Sequence, residues 1–301
     1  MVKKFLPFIA AGTLLFAAWF IKVHATKEGK VDLVVFSYDR PLQLYAFLES
    51  AENYVQGLST VSVIYRTTDD DYEKGYQVVK EKFPKITFLK QSSQPHQDFK
   101  PLVMKASFDS PAPYILYGVD DIVVTDFVDL HKVVAALEKT NSYGFYLRLG
   151  THLTECYMLK SVQRVPPLRK IEDDIYAWNF NQAEGDWAYP NSTDMTVYRK
   201  KDLKTVYESM HFVSPNSCEG QWASRANLTK QGLCFEAAKI VNIPMNLVQT
   251  IYLSNRNMNL FSAKELLAKF NEGLKMDISP LHKKRFKSVH VEYLPTFVKR
   301  A

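Results

Sequence analysis

The sequence predicts an α/β fold, a mainly parallel sheet with helices on both faces, preceded by an apolar N-terminal segment. Three observations predict it. Short apolar runs at residues 31–36, 61–65, 86–89 and 114–117 alternate with stretches of helical periodicity, and parallel neighbours need such crossovers. Each run ends in polar or charged residues, and in open α/β sheets ligands bind beyond the carboxyl ends of the strands. With 301 residues and 47% hydrophobic content, the chain can bury a full core in one large domain.

The N-terminal apolar run, LPFIAAGTLLFAAWFI at residues 6–21, is preceded by Lys3 and Lys4 and followed by Lys22. This is the layout of a signal sequence or a short signal anchor. Ala25 offers a small residue for cleavage, whereas the bulky Trp19 and Phe20 favour an uncleaved anchor, which is the preferred reading. Residues 1–30 are therefore assigned to anchor and linker, with the membrane as partner through residues 5–21. Lysines on both sides leave the orientation undetermined.

The first strand, 31–36, is β-branched and continuous, as suits a buried parallel strand. It runs into Ser37-Tyr38-Asp39-Arg40-Pro41, and proline suits the first turn of the helix predicted over 42–55. The second strand, 61–65, leads through Arg66 and the acidic residues 69–71 into a helix ending near Phe83. The third, 86–89, is followed by a polar stretch that includes Lys100 and then by a helix over 102–108. The fourth, 114–117, leads to Asp120 and Asp121, after which Asp126 is expected to cap a helix over 127–137. Beyond Gly144 the pattern is irregular: strands at 143–149 and 195–198, helices at 201–210, 218–229 and 263–273.

Composition narrows the function. A net charge of +6, spread along the chain, gives no nucleic-acid footprint. Three cysteines without a CxxC pair argue against a disulfide framework or a cysteine zinc site, and the histidines show no metal-ligand spacing. With only 11 glycines and no GxGxxG or GxxxxGK[ST], a bound phosphate has to be neutralised by a metal ion or by Lys and Arg side chains.

In Tyr114-Ile115-Leu116-Tyr117-Gly118-Val119-Asp120-Asp121-Ile122, two acids follow an apolar strand and precede another. Burying two carboxylates is costly without a compensating positive charge. A divalent cation, Mg²⁺ or Mn²⁺, would supply it, completing its shell with substrate phosphates and water. The competing reading is a solvated helix cap.

The strand ending in Ser-Tyr-Asp-Arg-Pro, the second strand with its acidic loop, and the apolar strand running into Asp-Asp resemble the GT-A (Rossmann-like) fold of family-2-like nucleotide-sugar glycosyltransferases. The resemblance covers roughly residues 31–149. It implies a nucleotide-sugar-binding subdomain at 31–150, with Ser37, Asp39, Arg40, Arg66, Lys100 and Asp120 around the nucleotide. Asp121, with Asp120, would hold the metal, although the first acid of a DxD motif is absent. The second half, 151–301, reads as an acceptor-binding half of the same domain. Tyr189-Pro190-Asn191-Ser192-Thr193-Asp194, Pro215-Asn216-Ser217-Cys218-Glu219-Gly220-Gln221-Trp222 and Asn242-Ile243-Pro244-Met245-Asn246-Leu247-Val248-Gln249 resemble segments of a poorly characterised bacterial group of such enzymes.

The resemblance implies transfer of a sugar from a nucleotide-diphosphate sugar to a glycan or lipid-linked acceptor, metal-assisted and inverting. Such a reaction needs a carboxylate to take the acceptor proton. Glu219 is the first candidate, with Asp194 and Asp186 as rivals, and Trp178, Trp187 and Trp222 are candidate sugar platforms. The alternative function is a non-catalytic carbohydrate-binding or scaffold protein on the same fold. A pyrophosphorylase-like enzyme is disfavoured by the missing glycine-rich first loop.

Overall fold

The computed structural model describes residues 29–249 and 256–300. The apolar run at 6–21 lies outside them, and among the described residues no helix is long and apolar enough to cross a membrane.

Four strands form the parallel part of a large sheet: β1 (Val31–Tyr38), β2 (Leu58–Arg66), β3 (Thr87–Lys90) and β4 (Tyr114–Val119). A short strand, β5 (Ile122–Val124), follows the acidic pair. The second half adds β6 (Gly144–Tyr146), β7 (Arg169–Glu172), β8 (Ile175–Asn179), β9 (Thr196–Arg199) and β10 (Gln231–Phe235), while β11 (Ile240–Asn242) pairs with β5 outside the main sheet. The nine-stranded order is β7-β8-β10-β6-β9-β4-β1-β2-β3. One sheet thus runs through both halves of the chain.

The expectation of a mainly parallel sheet holds only for the first half. β9 lies antiparallel between β4 and β6, and β7, β8 and β10 pair antiparallel in turn. Only β10 and β6 pair parallel in this half, and its sheet strands, three to five residues long, carry too few alternations to declare their pairing. The antiparallel seam matters for the site. The start of β9 meets the carboxyl end of β4, where the Met195 N–H donates to the Tyr117 carbonyl at 2.8 Å.

Helices cover both faces, as predicted. Alternate β1 residues point opposite ways. Leu33 and Val35 pack with α1 (Pro41–Tyr54), and Val34 and Phe36 with Phe99, Tyr117 and Trp222. A Cβ on Gly118 would stand 2.8 Å from the Phe47 ring, so the glycine lets α1 lie directly on β4. α2 (Asp70–Lys82) and α7 (Ala263–Asn271) pack against α1, while α3 (Pro95–Phe108), α5 (Lys200–Ser209) and α6 (Pro215–Ala223) serve the other face.

Several boundaries differ from the sequence reading. α3 begins at Pro95, where proline suits the first turn, and continues through Pro101. α4 spans Leu130–Thr140 and is capped by Asp129, whose carboxylate accepts from the His131 N–H at 2.8 Å; Asp126 instead pairs with Lys239 at 2.5 Å. α6 stops at Ala223 rather than 229. The three cysteines are free and buried.

Candidate active site

Asp120 lies at the end of β4, only 4% exposed, and its carboxylate is fully engaged. Oδ2 accepts from the Ser37 hydroxyl at 2.9 Å and the Tyr38 N–H at 3.2 Å, and Oδ1 accepts from Arg40 Nη1 at 2.9 Å. Ser37 is oriented in turn by the Tyr76 hydroxyl at 2.6 Å. β1 and β4 are adjacent and parallel, so the turn after one and the acids after the other arrive at the same edge.

Arg40 also reaches Asp121 Oδ2 at 3.6 Å. It therefore supplies positive charge that the sequence reading assigned to a metal ion alone. The guanidinium is aimed from behind by Asn246. Its Nε donates to Asn246 Oδ1 at 2.9 Å and its Nη2 to the Asn246 carbonyl at 2.5 Å.

Asp121 keeps a buried carboxylate oxygen, Oδ1, with no hydrogen-bond partner. Burial pushes its carboxyl up to about 6; Arg40 opposes this, and Asp120 and Asp194 reinforce it. The Asp121 carbonyl accepts from the Ile243 N–H at 2.8 Å, which fixes the Asn242–Asn246 segment beside the pair.

Across the β4–β9 seam lies a second acidic group. Glu219, in the second turn of α6, accepts from the Thr193 N–H at 2.8 Å. Burial first, and then neighbouring Asp194, pushes its carboxyl up to about 7. The α6 capping box is built by Ser214 and Ser217, which leaves Glu219 outside the capping role. Asp194 Oδ2 stands 3.9 Å from His290 Nε2, and His290 also contacts Asn242 Nδ2 at 3.2 Å. Asp121, Asp194, Glu219 and His290 thus form one cluster, linked to Arg40 and Asp120.

Two residues at this edge adopt positive φ without being glycine: Asp39 at 51° and Met195 at 48°. Such backbone persists where the surroundings hold it. Asp39 is held by Thr68, whose N–H and hydroxyl both donate to its carboxylate at 2.9 Å. Arg66 stacks over the Tyr38 ring, 4.9 Å from its centroid, at the rim.

Other expected participants lie elsewhere. Lys100 projects from α3 to the carbonyls of Glu208 (2.8 Å) and Met210 (2.5 Å) at the end of α5, so its ammonium is spent on a helix C-terminus. Asp69 caps α2, and Asp98 closes a local turn on Ser92 and Gln91, so both carboxylates are engaged locally. Asp186 pairs with Arg148 at 3.7 Å and accepts from Gln163. Trp178, Trp187 and Trp222 are at most 2% exposed and belong to the core rather than to a sugar platform.

Sequence reasoning missed Asn246, His290 and Arg148. Arg148, 2% exposed, donates to the Asp186 and Tyr189 carbonyls and draws the Glu219 carboxyl downward electrostatically. Asn246 stood within a quoted segment, but nothing local reveals that it serves an arginine 206 positions away.

No family model matches the chain. It is similar to the bifunctional glycosyltransferase pgtA of Dictyostelium discoideum, 24% identical over 197 residues; the match covers 60% of this chain and only a quarter (25%) of the relative. Among solved structures it is similar to S. aureus TarS 1–349 in complex with UDP, with a TM-score of 0.44 and 13% identity over 68% of this chain and 57% of that one. The same fragment in complex with UDP-GlcNAc gives a TM-score of 0.44 and 13% identity over 79% and 65%.

Proposed function

We propose that the chain is a glycosyltransferase that takes a sugar from a nucleotide-diphosphate donor and passes it, with inversion, to a glycan or lipid-linked hydroxyl. One observation carries this reading: two acidic groups of different character face each other across the β4–β9 seam. Asp120 is locked by Ser37, Tyr38 and Arg40, and Asp121 beside it has a free oxygen. Glu219 and Asp194 on the other side include a carboxyl raised toward neutrality, as suits a general base. The similarity to part of a glycosyltransferase supports the same reading.

The residues fit a hard divalent cation, Mg²⁺ or Mn²⁺. Asp121 Oδ1 is an orphaned carboxylate oxygen, while among the described residues no group of three His, Cys, Asp or Glu would hold an ion unaided. Asp121 would be the protein ligand, with donor phosphates and water completing the shell. The ion would stabilise negative charge on the leaving diphosphate.

The chain's own residues then divide the work. The turn Ser37–Arg40, together with Arg66, lines the nucleotide side. Asp120 acts chiefly as the anchor that holds this turn against β4. Glu219 accepts the acceptor hydroxyl's proton as the oxygen attacks the anomeric carbon. Asp194 and His290 shape the ground between donor and base.

The test is a panel of nucleotide sugars with Mn²⁺, followed by thermal shift and by nucleotide release. Stabilisation by one diphosphate sugar, lost in Asp121→Ala, is expected. Stabilisation without release under any acceptor would favour the non-catalytic alternative, and no stabilisation by any donor would remove the proposal.

A further inference from the structure

A basic and apolar surface adjoins the site on the side of His290. Residues 283–287 read Lys-Lys-Arg-Phe-Lys, and Lys283, Lys284, Arg285 and Lys287 are all exposed. Three positions beyond this run, His290 enters the acidic cluster.

The run carries a hairpin. The N–H groups of Thr154 and Glu155 donate to the Lys287 carbonyl at 2.9 and 3.0 Å, and the Tyr157 N–H donates to the Ser288 hydroxyl at 3.1 Å. Residues 155–156 and 161–162 pair antiparallel, and the Lys160 N–H closes the turn on the Tyr157 carbonyl at 3.2 Å.

Turn tips are normally filled by polar residues or glycine, which solvate the backbone or tolerate its geometry. This one carries Met158 and Leu159, exposed by 38% and 66%, with Val162 beside them at 79%. Lys160 and Arg164 flank these apolar groups, and Glu155 is offset by Lys287 at 3.8 Å. At the start of the turn, Tyr157 stacks on the His290 ring, with centroids 6.2 Å apart.

We infer that this face, the hairpin tip over residues 158–162 with the cations of residues 283–287, seats on an anionic lipid surface and turns the acidic cluster toward it. Aliphatic side chains at an exposed tip enter the interfacial region, while the surrounding cations are drawn to acidic headgroups. An acidic protein or a nucleic acid would match the cations but leave three aliphatic groups in water. The lysine-flanked apolar run at residues 6–21, expected from the sequence to be a membrane anchor, would hold the chain at a lipid surface. The seating is independent of the chemistry at the site.

The test uses the full chain reconstituted in vesicles. A fluorophore placed at Leu159→Cys reports on the tip, and one at Val213→Cys, in the α5–α6 loop, serves as the control; the native cysteines are buried. Vesicles contain a lipid-borne quencher and are either zwitterionic or 30% phosphatidylglycerol.

Quenching at position 159 but not 213, on anionic vesicles, is expected. It should fall roughly tenfold when Lys283, Lys284, Arg285 and Lys287 are all changed to glutamine, and weaken in high salt. An unquenched tip on anionic vesicles overturns the inference. So does equal quenching on both lipids, or quenching that ignores the four substitutions.

Discussion

The Thr193 N–H donates to Glu219 Oε1 over 2.8 Å, and this bond ties α6 to the segment that leads into β9, the strand antiparallel beside β4. It occupies one carboxylate oxygen, while the nearby Asp194 charge acts on the same carboxyl. Removing the charge while keeping the shape separates binding from chemistry. Glu219→Gln should keep donor-induced stabilisation and lower kcat by roughly 10²–10⁴-fold, the usual contribution of a positioned base. Wild-type kcat should rise with pH through about 7, as the base loses its proton, and the variant should not show that limb. Full activity in Glu219→Gln would assign the proton to another group.

The same raised carboxyls predict how stability depends on pH. Glu219 titrates near 7 in the folded protein, above the ordinary glutamate value, because burial disfavours its charge; Asp121 is raised to about 6 for the same reason. Between about 4.5 and 7 the folded state therefore holds protons that the unfolded chain has released. Stability contributed by these groups is present at low pH and lost as pH rises through the folded values. Urea midpoints should fall between pH 5 and 8, and Glu219→Gln should flatten that slope. An unchanged slope in the variant would show that Glu219 titrates normally.

Arg40 is the charge partner on which the acidic pair depends. Leaving a buried carboxylate unpaired costs about 3–5 kcal/mol, so Arg40→Met should be strongly destabilising. Asn246→Ala removes one of the two groups that aim Arg40 and should cost less, about 1–3 kcal/mol. Denaturant unfolding of both variants checks the order. If Asn246→Ala proved the more damaging, Asn246 would have a role beyond holding Arg40.

The legible part of this molecule was the part with a local signal. The four parallel strands, α1 with its leading proline, and the turn from Ser37 to Arg40 each announce themselves in a few consecutive residues, and the structure brings that turn onto Asp120. Asp194 and Glu219 were found by chemistry and lie within the same cluster.

What the sequence hid were relationships across distance. Arg40 and Asn246 are 206 positions apart, and His290 arrives on a segment whose only pattern is positive charge. Lys100 misled because a cation after a strand carries no mark of whether it meets phosphate or a helix end. The antiparallel half was under-read because strands of two to five residues have too few alternations to declare their partners.

A buried ion pair at the opposite edge of the sheet offers a control for every site variant. Lys200 Nζ lies 2.5 Å from Asp32 Oδ2, at the start of β1, with Asp32 fully buried. Asp32 Oδ1 accepts from the Thr60 N–H at 3.2 Å and hydroxyl at 2.7 Å, and Lys200 also donates to the Ser110 carbonyl. Lys200→Met strands the carboxylate and should cost about 3–5 kcal/mol, whereas Asp32→Leu with Lys200→Met should recover much of that loss, since an apolar pair needs no desolvation of charge. Because this pair sits at the amino end of β1 and the acidic cluster at the carboxyl end of β4, the thermal shift induced by donor should match wild type in the double variant. A lost shift there, with stability restored, would mean that the two edges are coupled through β1.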